Sequence, residues 1–145
     1  MRTVILLAFI AAVSAVEQPM TWTAAGELVM AVDIGGKPAL MIIDSGATHS
    51  VLDAAFCERG KIRTRAVRGT TTTIDGERQG VRMAVDPPAI AGWREFTVID
   101  LSVRGGDDGA AVVGILGLDY LRAAKATLDF GKGVIALPDP ADGDR

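Results

Sequence analysis

The stretch LMIIDSGATHSVLD, residues 40–53, sets an acid directly behind the apolar run Leu40-Met41-Ile42-Ile43 and follows it with the small residues Ser45, Gly46, Ala47 and Thr48. A carboxylate at the end of a buried strand costs several kcal/mol unless it is hydrogen-bonded or paired. Asp44 therefore needs a structural or a chemical reason. The triplet Asp44-Ser45-Gly46 alone is satisfied by an ordinary turn, because Asp and Ser bond nearby backbone groups and Gly takes unusual dihedrals. Its neighbours decide which reason applies.

Upstream, residues 27–34 alternate, with Leu28, Met30, Val32 and Ile34 on one face. Gly35-Gly36 is a turn signal, and residues 38–43 form a second strand, so the segment is a β-hairpin ending at Asp44. Downstream, residues 65–74 and 77–85 flank Asp75-Gly76, a type I′ hairpin signature. The run Thr70-Thr71-Thr72-Thr73 is β-branched but polar. That hairpin has little apolar surface to bury and is expected to project over something. Asp86-Pro87-Pro88 breaks the chain. Residues 95–101 (EFTVIDL) read as a strand, residues 104–109 as an exposed loop and residues 111–116 as an apolar strand. After Gly117, Leu118, Leu121 and Ala124 have helical spacing, and residues 126–130 and 134–137 flank Gly131-Lys132-Gly133 as a closing hairpin. With seventeen glycines and six prolines, the class is mainly β.

The N-terminus has a different grammar. Arg2 precedes an apolar run from Thr3 to Val13, and Val13-Ser14-Ala15 is a small-residue site, the pattern of a cleavable secretory signal. The run is shorter than the roughly 20 residues a membrane-spanning helix needs, and an uncleaved anchor is the lesser reading. Removing the first 15 of 145 residues leaves 130, and the loss of Arg2 takes the formal net charge from −3 to −4. That is one domain, residues 16–145, long enough for a core without disulfides. Cys57 is the only cysteine and is expected to be a buried free thiol. Lys61, Arg63, Arg65 and Arg68 read as a solvated strand face, and the mild negative charge leaves no electrostatic footprint for nucleic acid.

The order of these elements resembles that of the retropepsin-like aspartic proteases, including their exported bacterial relatives, over residues 27–137. The family's catalytic Asp-Thr/Ser-Gly falls on Asp44, Ser45 and Gly46, and its frequent following alanine on Ala47. Its flap hairpin falls on residues 65–85, with Ile74, Asp75, Gly76 and Glu77 at the tip. The apolar-apolar-Gly element that packs behind the catalytic loop falls on Ile115, Leu116 and Gly117. The flap tip departs from viral members, which are glycine-rich there, and Leu118 stands where those members have a basic residue.

The resemblance implies an all-β, retropepsin-like (pepsin-lobe) closed β-barrel or sandwich with a flap hairpin and one short C-terminal helix. It implies an aspartic endopeptidase acting on extended protein segments, with no cofactor and no metal. Such chemistry needs two carboxylates sharing a proton. This chain has one Asp-Ser-Gly, and Asp100, Asp119 and Asp129 lack its small-residue context. The inference is a homodimer that places Asp44 beside its copy. The expected partners are that second copy and a protein or peptide substrate, with no nucleic acid, and no membrane unless the leader stays uncut. The expected location is periplasmic or secreted. A non-catalytic module of the same fold that grips a peptide or partner is the rival, and an exported β-rich structural protein is the third reading.

Other chemistries fit less well. Ser45 and His49 do not form a nucleophile elbow, since G-x-S-x-G is absent. His49 is the only histidine, which leaves no histidine cluster for zinc. Gly114 and Gly117 lack the Gly-Lys-Ser/Thr of a phosphate loop, and Asp107-Asp108 reads as a solvated pair rather than a calcium site.

Overall fold

The computed structural model describes residues 15–73, 76–101 and 111–138. Among them are ten strands and two short helices. In chain order these are β1 (Ala15–Trp22), β2 (Leu28–Ile34), β3 (Lys37–Ile43), β4 (Val51–Asp53), α1 (Ala54–Arg59), β5 (Arg63–Thr73) and β6 (Gly76–Val85). They continue with β7 (Thr97–Ile99), β8 (Val112–Leu116), α2 (Leu118–Ala123), β9 (Thr127–Asp129) and β10 (Val134–Pro138).

The β2–β3 hairpin follows from its turn. Gly35 and Gly36 take φ of 62° and 83°, the positive values that a two-residue turn of this hand needs. Asp33 Oδ1 accepts the Gly36 N–H at 2.8 Å. Register then runs from Ile34 opposite Lys37 to Val29 opposite Ile42. The expected β5–β6 hairpin is also present, from Arg63 opposite Val85 to Thr73 opposite Gly76, with an irregularity between Val67 and Thr70. Its turn residues Ile74 and Asp75 lie outside the described residues.

The strands follow the order β5-β6-β7-β4-β8-β3-β2-β1-β10-β9. At its centre, β8 runs parallel to β3, with Met41 beside Gly114 and Ile43 beside Leu116. It runs antiparallel to β4, with Leu52 opposite Gly114. A central strand covered on both sides reads as a continuous apolar run, and β3 behaves this way. Met41 and Ile43 enter the main core with Met30, Leu52, Phe96, Leu116, Tyr120 and Ile135. Leu40, with the partly buried Ile42, packs with Val29 and Val112 in a second, smaller cluster. Met30, Met41 and Leu52 are at most 1% exposed, and burial of such side chains is worth roughly 1.5–3 kcal/mol each.

Several details differ from the sequence expectation. The chain is all-β and retropepsin-like, but the sheet is open, ending at β5 and β9, rather than closed. A second helix, α1, was not foreseen. It is six residues long, and its start is fixed by Asp53, whose carboxylate accepts the Phe56 N–H at 3.0 Å. Strand β7 is three residues rather than seven. Strand β1 was also unforeseen. It starts at Ala15, inside the segment read as a leader, and joins β10 along residues 15–19 and β2 along residues 20–22. The rest of that segment, residues 1–14, and the loop at 104–109 lie outside the described residues.

Packing at the centre allows no side chain at Gly114. A Cβ there would run into the carbonyl oxygen of Val51 and sit 3.0 Å from Met41 Cε. Both neighbours are held in the sheet, so Gly114→Ala must separate β8 from β4. We expect a loss of about 3 kcal/mol, read as a lower urea midpoint; an unchanged midpoint would refute this close approach.

Candidate active site

The residues between β3 and β4 form a loop that must cross the end of β8, because both flanking strands pair with β8. This topology lifts Asp44 out of the sheet. Ile43 is buried at 6% exposure, whereas Asp44, Ser45 and Gly46 are exposed and Ala47 is half-buried. The sequence placed the Asp44 charge at the end of a buried strand; in the single chain its carboxylate faces solvent.

The loop is tied down residue by residue. Asp44 donates its N–H to Leu116 O at 3.1 Å, and Ala47 donates to Asp44 O at 3.2 Å. Gly46 donates its N–H to Asp44 Oδ1 at 2.8 Å, which fixes the carboxylate's orientation. A Cβ on Gly46 would lie 3.1 Å from that same oxygen, so the small residue lets its backbone come close to the acid.

Gly117 is the second point of close approach. A Cβ there would lie 2.8 Å from Ala47 O and 2.8 Å from the His49 carbonyl group. With no side chain in the way, Leu118 donates its N–H to Ala47 O at 2.7 Å. Of the expected support, Leu116 and Gly117 are therefore brought directly against Asp44 and Ala47, while Ile115 pairs with Ile42 and Val51 in the flanking strands. Leu116 is fully buried, and Ile115 is half-buried.

The hairpin residues stand differently. Gly76 opens β6, and β7 and β4 separate that strand from β8. Gly76 and Glu77 pair with Thr73 and Thr72, so strand pairing does not join them to the Asp44 loop.

Three polar residues that sequence reasoning passed over hold the surroundings. Ser50, with no exposed surface, donates its hydroxyl to Asp119 Oδ1 at 2.7 Å and accepts the Gly117 N–H at 3.0 Å. Its backbone N–H donates to Asp119 Oδ2 at 2.9 Å. Asp53, also fully buried, accepts N–H groups from Phe56 at 3.0 Å and Leu101 at 3.1 Å. The available signals were a short polar residue before a helix at Asp53 and an acid in the first turn of α2 at Asp119.

A model of the aspartyl protease family matches residues 30–120, which include the Asp44 loop and the β8–α2 support. The chain belongs to the aspartyl protease family. DNA damage-inducible protein 1 of Kluyveromyces lactis is 25% identical over 135 residues, covering 83% of this chain and 28% of that protein. This chain thus spans less than a third of that curated relative. A retropepsin-like aspartic protease from Rickettsia conorii shares the fold, with a TM-score of 0.51, 18% identity and coverage of 86% of this chain and 99% of its own. The retroviral protease-like domain of Ddi1 from Leishmania major is 22% identical, with a TM-score of 0.45 and coverage of 80% and 96%.

Cys57 is a buried free thiol, as expected. Burial, and then the Asp53 charge, push its pKa from 9.0 up to about 11. The folded thiol keeps its proton where an unfolded one has lost it. Its contribution to stability is therefore complete below pH 9 and disappears as pH rises toward 11. We expect the native protein to react with an aromatic disulfide reagent at pH 8 far more slowly than the urea-unfolded chain does. Equal rates would contradict the burial of this thiol.

Proposed function

We propose that this aspartyl protease family member is an endopeptidase that cleaves extended protein segments as a homodimer, with Asp44 from each copy forming the catalytic pair. One observation carries the reading. Asp44 is the only acid on its loop, and its carboxylate is exposed and oriented by the Gly46 N–H rather than consumed by a buried salt bridge. Two carboxylates within hydrogen-bond reach cannot both ionise, so they share one proton and divide the work.

In that pair, the ionised Asp44 takes a proton from a water molecule, and the water oxygen attacks the scissile carbonyl carbon. The protonated partner donates a hydrogen bond to the carbonyl oxygen as negative charge develops there. When the tetrahedral intermediate collapses, the proton moves to the departing amine. Ser45 fixes the two loops by hydrogen bonding across the dimer. Gly46 keeps the carboxylates aligned, and Ala47 lines the floor beside the substrate. The β5–β6 hairpin closes over the peptide and excludes water. Because the titration belongs to the coupled pair, activity should peak on the acidic side of neutrality. The apolar run behind Arg2 supports export to the periplasm or beyond, and residues 16–145 form the working domain.

Asp44→Asn should remove peptide cleavage by at least about 1000-fold while circular dichroism and the sedimentation coefficient stay those of the parent. A statine-type inhibitor should block the parent. Cleavage per chain should fall on dilution through the dimer dissociation range. Undiminished cleavage by the Asn variant sinks the assignment, a monomer at full specific activity sinks the shared pair, and tight peptide binding without cleavage favours the non-catalytic module.

A further inference from the structure

Asp119 has a task that its place in a helix does not explain. It lies in the first turn of α2 and bonds the Tyr120 N–H through Oδ1 at 2.7 Å. Any acceptor there would serve the helix. Both of its oxygens, however, also reach a residue 69 positions earlier: Oδ2 takes the Ser50 N–H and Oδ1 takes the Ser50 hydroxyl proton. Ser50 closes the Asp44 loop, and its hydroxyl oxygen in turn accepts the Gly117 N–H. The loop is thereby held at its start by Leu116 O, in the middle by the Leu118 N–H and at its end by Asp119.

The geometry points to Asp119 as a positioning residue for Asp44, acting through Ser50 and the Gly117 turn to set where the reactive carboxylate stands. This inference rests on the protease reading. Its chemical content lies in the number of acceptors. The Ser50 oxygen receives the Gly117 N–H, so its own proton must point to Asp119, and the Ser50 N–H needs a second acceptor beside it. A carboxylate supplies two acceptor oxygens; an amide supplies one, with a donor in place of the other. In a pocket where Ser50 has no exposed surface, Asp119→Asn leaves at least one donor without an acceptor whichever way the amide turns: the Ser50 N–H in one orientation, the Ser50 hydroxyl and the Tyr120 N–H in the other. The loop must then shift to reach water or another partner.

The test combines kinetics with amide exchange in Asp119→Asn, Ser50→Ala and the double variant. We expect Asp119→Asn to lower kcat per inhibitor-titrated site by about 10-fold or more with KM within about twofold, since the lost alignment matters most at the transition state. The double variant should be no worse than the more severe single one, because both act through one network. Exchange of the Gly46, Ala47 and Leu118 amides should quicken by about 10-fold, while the Met30 and Met41 amides in the core stay as slow as in the parent. The inference is overturned if kcat per titrated site is unchanged, or if protection is lost equally in loop and core, which is global destabilisation. Should the parent cleave no peptide, the protease reading falls, and the exchange comparison alone decides whether Asp119 holds the loop.

Discussion

The constraint on which the rest of the molecule depends is that β8 lies between β3 and β4 and pairs with both. Two strands joined in sequence but separated by a third cannot be linked by a tight turn. The connection has to pass over the end of the intervening strand, against its backbone. A side chain at the crossing would hold the layers apart, which is why glycine stands at 117; within β8, the close approach of β4 demands another at 114. Asp44 is exposed for the same reason. The loop leaves the sheet just where the apolar run ends, so the acid stands above the core and not within it.

This arrangement separates the carboxylates that hold the fold from the one proposed to react. Asp53 has no exposed surface and is compensated by two backbone N–H groups. Asp119 is half-buried and accepts three hydrogen bonds. Charges so placed are stabilised by donors already fixed in position, and removing either would leave those donors unpaired. Among the described residues, the Asp44 carboxylate accepts one local N–H and no other hydrogen bond. The two structural carboxylates are held by several donors, whereas Asp44 is oriented by one.

The legibility of the sequence tracks how local each determinant is. Gly35-Gly36 states its turn in two residues, and the apolar run at 40–43 is long enough to announce a doubly covered strand. The order of Asp44-Ser45-Gly46 and the later Ile115-Leu116-Gly117 was enough to read the family, which the match over residues 30–120 bears out. Helix α1 was not readable, since six residues hold less than two turns of apolar period and its start depends on one cap. Strand β1 was obscured by the apolar run ahead of it, and only pairing with β10 and β2, both distant in sequence or in pattern, gives it a place. Ser50 was not legible, and Asp119 offered only an acid in the first turn of a helix: short polar residues have no periodicity, and the bonds between the two exist only once α2 has been brought over the loop.

Stiffness in the loop and stability in the core come from different sources. Met41, Leu52, Leu116 and Ile135 are buried by apolar contact, which is non-directional and tolerates small displacements. The loop from Asp44 to Ser50 is mostly exposed and has little apolar area to bury, so hydrogen bonds from Leu116, Leu118 and Asp119 must hold it. Such bonds are directional, so they fix angle as well as distance. A pair of carboxylates that must share a single proton across a two-fold axis tolerates little error in either. The proposed dimer requires each protomer to present its acid already aligned, and the bonds from β8 and α2 hold the loop that carries it within the single chain.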